Sequence, residues 1–178
     1  MPKFSGRTRL TMCGNEANGT ANRIREFRGE EDARAIAEVL RESPEAAGWS
    51  EQELRELPLL AGVSTYVSER GNFLFGMVSG RRVLDEAEIL NLAVMQQARR
   101  QGEGKRLLMR LLEEFQENGV SRVFLEVRES NTGAIAFYER MGFRPVGKRR
   151  DYYQNPSESA TVMEAWLKES TDIVRTRS

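Results

Sequence analysis

The chain has 178 residues, 39% of them apolar and 30% charged, with 27 basic and 27 acidic side chains and no histidine. That composition fits one soluble globular domain with a real core, and its charge balance argues against a general nucleic-acid binder. Without histidine there is no Ser-His-Asp triad, Cys-His pair or histidine-ligated metal, and the only cysteine, Cys13, closes no disulfide or thiolate cluster within the chain.

No apolar run approaches the roughly 18 residues of a membrane span, and the first 22 residues lack the apolar stretch of a signal peptide. A cytoplasmic protein with no membrane partner and no direct nucleic-acid partner is expected. Residues 1–22, rich in Gly, Asn and Thr without periodicity, read as a flexible extension; 23–168 read as the folded domain and 169–178 as a polar tail.

In chain order, Arg23 to Phe27 is a short strand candidate. GEEDARAIAEVLRES comes next, with Ile36, Val39 and Leu40 at helical spacing and three acidic residues in its first turn. A second helix starts at Ser50, where Glu53 completes a capping box. VSTYVSE, FLFGMVSG and EAEILNLAV are three strands, the first two separated by Arg70-Gly71-Asn72. A helix then carries Leu107, Leu108, Leu111, Leu112 and Phe115 on one side, and Asn118-Gly119 ends it as a left-handed cap. SRVFLEV is a strand, TGAIAFYERM a helix closed by Gly142, and FRPVGKRRDYY and ATVMEAWL two strands joined across Asn-Pro-Ser. The order β-α-α-β-β-β-α-β-α-β-β predicts a mixed α/β sheet with helices packed on it.

The stretch from Arg99 to Leu108, RRQGEGKRLL, joins a strand to a helix through two glycines. It is neither a dinucleotide fingerprint, since position 107 is Leu, nor a Walker loop, since no Gly-Lys-Ser/Thr occurs. Such a turn offers unpaired N–H groups and the positive end of a helix dipole to an anion. Taken alone, it is equally a tight turn with a solvated basic face.

Read together with its surroundings, the chain resembles the GNAT superfamily of N-acetyltransferases. The signature Arg/Gln-x-x-Gly-x-Gly/Ala stands here as Arg99-Arg100-Gln101-Gly102-Glu103-Gly104. LNLAV before it and LEVRESNTGAIAFYERMGF after it, with RRDYY and Trp49-Ser50-Glu51, resemble the branch of bacterial ribosomal-protein-alanine N-acetyltransferases. The resemblance implies a GNAT fold, a mostly antiparallel mixed sheet of about seven strands with about four flanking helices. It makes 23–168 an N-acetyltransferase domain and acetyl-CoA the cosubstrate, with no metal. The implied acceptor is the N-terminal α-amine of a protein, here a ribosomal small-subunit protein starting with Ala, acetylated by direct transfer in a ternary complex. A small-molecule amine, an internal lysine, or a non-catalytic acetyl-CoA-binding module are the alternatives.

Residue by residue, the resemblance places Arg99, Arg100, Gln101, Gly102, Glu103, Gly104 and Lys105 at the pyrophosphate, and the backbone of Leu92, Ala93 and Val94 at the acetyl group and pantetheine arm. Glu126 is the implied general base; strand alternation sets it with Phe124 and Arg128, opposite Val123, Leu125 and Val127, where it is also readable as a strand carboxylate paired with a neighbour. Tyr138 is the implied acid at the CoA sulfur, or a core aromatic. Asn131 is an implied CoA contact and also a good N-cap. Trp49, Tyr152 and Tyr153 are implied acceptor contacts; the tyrosines read equally as edge-strand aromatics. Lys148-Arg149-Arg150 is expected to be solvated. Two departures stand out: Met95-Gln96-Gln97-Ala98 replaces a common Asp/His-Pro-x-Tyr/Trp, and Glu103 occupies a position that is commonly apolar. Glu103 is expected to point to solvent, away from a pyrophosphate it would repel.

Overall fold

The computed structural model describes residues 22–167. Seven strands and four α-helices succeed one another as β1 (Arg23–Glu26), α1 (Gly29–Arg41), α2 (Glu51–Glu56), β2 (Val63–Arg70), β3 (Phe73–Val83), β4 (Glu86–Val94), α3 (Glu103–Glu117), β5 (Arg122–Arg128), α4 (Thr132–Arg140), β6 (Arg144–Gln154) and β7 (Ser157–Trp166). This is the order expected from periodicity and caps. The Ser50 box is complete, with Glu53 N–H donating to Ser50 and Ser50 N–H to the Glu53 carboxylate. Gly119 and Gly142, both at positive φ, stop α3 and α4.

One sheet runs β1-β2-β3-β4-β5-β7-β6, antiparallel except for β4 beside β5. Each of its faces is apolar and covered. On one face α3 and α4 press Leu107, Leu108, Leu111, Phe115 and Tyr138 onto Val78, Ile89 and Leu125. On the other, α1 and α2 bury Ile36, Val39 and Leu54 against Val67, Met77 and Ala93. The start of α1 is tied to β1 by Arg25, whose guanidinium makes two bonds to Asp32 at 2.6 and 2.9 Å and also reaches Glu69.

Two features of β4 position the site. Ser79 pairs with Asn91 but Gly80 with Ile89, so Leu90 is an extra residue in β4. Such a bulge bends the strand and exchanges the faces of the residues beyond it: Ile89 packs beneath α3, and after the bulge so do Leu92 and Val94. Opposite the bulge, a Cβ on Gly80 would lie 2.8 Å from the Glu88 carbonyl and 2.8 Å from Phe115; only glycine lets α3 settle there. The second feature is that β4 pairs with β5 only over Glu86–Ile89 and Arg122–Leu125. Beyond it β4 stays with β3 to Val94, and β5 with β7 to Arg128. The parallel pair opens into a wedge.

Candidate active site

Glu126 is the first residue of β5 past the last β4 pair, and it stands on the face opposite Val123, Leu125 and Val127, as alternation requires. Its side chain is only 11% exposed, and Arg149 Nε lies 2.7 Å from its Oε1. Donation to the same carboxylate pushes the Tyr152 phenol up to about 12, with burial adding to the effect. The Tyr153 phenol is also pushed up, first by burial and then by the Glu126 charge. The two tyrosine rings meet edge to face at 5.1 Å, and Arg128 stacks over Tyr153 at 4.1 Å. The carboxylate, two phenols and a guanidinium thus converge where the sheet parts.

Tyr138 reaches this region from α4. Its ring packs edge-on to Phe137 and Phe143 at 5.2 and 5.7 Å. Burial pushes its phenol well above the usual value, and proximity to Tyr153 adds to this. A phenol so placed keeps its proton throughout the neutral range. Asn131 caps α4 by accepting from Ala134 N–H at 3.0 Å, so the capping reading holds.

The loop after β4 passes through a 3-10 turn, Gln96–Ala98, and two left-handed residues, Arg100 (φ 60°) and Gly102 (φ 85°). Gly102 is the N-cap of α3, and no side chain caps that helix. The first bond of the helix is Arg106 N–H to the Gly102 carbonyl, 3.0 Å. The N–H groups of Glu103, Gly104 and Lys105 therefore have no acceptor within the helix. A Cβ on Gly104 would lie 3.7 Å from the Phe137 ring and 3.8 Å from Val94.

The Acetyltransferase (GNAT) family matches residues 33–143, more than half of the chain. The chain belongs to the GNAT acetyltransferase family. The [ribosomal protein bS18]-alanine N-acetyltransferase of Escherichia coli K12 is 46% identical over 83 residues, 46% of this chain and 56% of that protein. The protein of the same name from Haemophilus influenzae is 40% identical over 99 residues, covering 54% and 67%. The sequence match thus spans little more than half of the E. coli relative. In three dimensions, the crystal structure of the E. coli ribosomal-protein-S18-alanine N-acetyltransferase superimposes with TM-score 0.73 and 30% identity, over 86% of this chain and 99% of that one. Ard1 from Thermoplasma volcanium gives TM-score 0.77 at 29% identity, over 84% and 99%.

Within this GNAT chain, several side chains lie elsewhere than the sequence suggested. Glu103 does not point to solvent: it is 3% exposed, accepting from the Asn22 amide and from Arg106 at 3.1 and 3.3 Å. Its charge is met by Arg106 and turned toward the start of β1. Arg99 bonds the Val94 carbonyl (2.9 Å) and Glu45 (2.7 Å), latching the β4 end to the α1–α2 loop. Gln101 donates to the Gln97 carbonyl, and Arg100 and Lys105 are not buried. The basic cluster is not simply solvated, since Lys148 pairs with Glu129 at 2.7 Å as Arg149 does with Glu126. Trp49 is half-buried against the α1–α2 core, on a loop that accepts from Asn91 through the Ala47 carbonyl at 2.9 Å.

Arg149 is the site residue that sequence reasoning missed. Its signal was the run of three cations preceding Tyr152-Tyr153, a run too short to say which of them turns inward. Among the described residues no group of carboxylates and thiols is arranged to hold a metal, and no helix is long and apolar enough to cross a membrane.

Proposed function

We propose that this GNAT chain is an acetyl-CoA-dependent N-acetyltransferase that acetylates the N-terminal α-amine of a protein, a ribosomal protein starting with alanine, by direct transfer in a ternary complex. The observation that carries this reading is Glu126 standing where β4 and β5 part, between an open wedge and the tyrosine pair of β6. The E. coli relative of stated specificity supports the acceptor.

The wedge fits acetyl-CoA. The uncapped start of α3 presents N–H groups to a pyrophosphate, Gly102 supplies the left-handed turn, and Gly104 leaves room beside Val94 and Phe137. The strand edge of Leu92, Ala93 and Val94 that β5 leaves unpaired offers backbone groups to the pantetheine arm and the acetyl carbonyl. When bound there, acetyl-CoA supplies the activated acetyl group.

The remaining work falls to this chain. An α-ammonium, of pKa about 8, must lose a proton before it attacks, and Glu126 is the carboxylate placed to take it, directly or through water. Tyr138 holds a proton at Oη for the departing thiolate. Tyr152, Tyr153 and Trp49 line the acceptor side. With no histidine in the chain, the Ser-His and Cys-His pairs that commonly build an acetyl-enzyme are absent, which favours attack by the amine itself.

Glu126→Gln and Tyr138→Phe should each slow turnover by roughly 10²-fold or more while leaving the fold intact. Parent-like rates in both variants would remove the mechanism.

A further inference from the structure

β6 carries a bulge beside the site whose consequence is specific. Arg149 pairs with Ala160, but the next pair is Tyr153 with Glu158. Arg150, Asp151 and Tyr152 therefore stand opposite Ser159 alone, and Asp151 takes the left-handed conformation, φ 51°, that closes the extra loop. In an unbroken strand Arg149 and Tyr152 would face opposite sides of the sheet. The bulge turns both onto Glu126, one at 2.7 Å as a cation and the other as a phenol donor.

We propose, building on the reading of Glu126 as the base, that Arg149 is a positioning residue: it fixes the Glu126 carboxylate at the mouth of the wedge, turned toward the incoming amine.

The surroundings leave this task to Arg149. From β6 come Tyr152 and Tyr153, neutral phenols; from β5 comes Arg128, whose charge is spent on Glu158 of β7 at 3.1 Å and on the Tyr153 ring. Tyr138 of α4 is neutral. Arg149 is thus the cation in contact with the Glu126 carboxylate. Without it the carboxylate loses the partner that sets its direction, and the amine meets the base less often in a productive geometry.

Arg149 is 60% exposed, so its replacement leaves the fold in place. The test is steady-state acetyl transfer to an Ala-starting peptide by the parent, Arg149→Ala and Arg149→Lys, with Glu126→Gln alongside. A residue that only orients the base changes kcat and not cosubstrate binding: Arg149→Ala should lower kcat by roughly tenfold with the KM for acetyl-CoA within about twofold, and Arg149→Lys, which keeps the cation, should recover most of the loss. In the Glu126→Gln background Arg149→Ala should cost nothing further. An unchanged kcat in Arg149→Ala, with Glu126→Gln inactive, overturns the role of Arg149 alone. Full activity of Glu126→Gln overturns the base assignment, and the role of Arg149 with it.

Discussion

Glu103 and Glu126 are both largely shielded from solvent beside the wedge, yet their partners give them opposite tasks. Glu126 meets Arg149 and Tyr152 at the opening. Glu103 is turned away and held by Arg106 and Asn22, where a carboxylate in the first turn also complements the helix dipole. Glu103→Leu should therefore leave acetyl-CoA affinity within about twofold and lower stability by about 1 kcal/mol, since Arg106 is 42% exposed and rehydrates readily. Calorimetric binding and chemical unfolding of the variant check both halves. A tightening of tenfold or more would mean that the carboxylate faces the pyrophosphate. The facing of Glu126 was legible from alternation along β5. That of Glu103 was not, because its partner Asn22 lies 81 residues away in sequence.

The elements themselves were legible because each carries local physics: the Ser50 box, the glycines after α3 and α4, and the period-two pattern of β5. Their spatial order was not. That β7 inserts between β5 and β6 depends on long-range pairing, and an extra residue such as Leu90 becomes visible only against its partner strand. One link between elements makes a measurable prediction. Burial by itself would push the Asp32 carboxyl up, but Arg25 and the Arg28 N–H outweigh it and hold it below the usual carboxylate range. Its contribution is then fully present above the unfolded value near 3.9 and is lost as pH falls through the lower folded value. Asp32→Asn should cost about 3–5 kcal/mol at neutral pH, the loss from a broken buried pair. Its deficit against the parent should shrink below pH ~4. Urea unfolding at pH 7 and pH 3 reads both; an equal deficit at the two pH values would show that Asp32 does not depend on its charge.

At the scale of the whole molecule, two cores on opposite faces hold a sheet whose central parallel pair is left open at one end. The site proposed at that opening draws residues from β4, β5, α3, α4 and β6 at once. The most direct measurement is thiol release from acetyl-CoA, with intact-mass analysis, against peptides starting with Ala, Ser, Met or Lys, N-terminally blocked lysine peptides and small amines. Acetylation confined to free N-termini beginning with Ala or Ser is the predicted result. Turnover only with small amines or blocked lysine peptides, or with none of the panel, would contradict it.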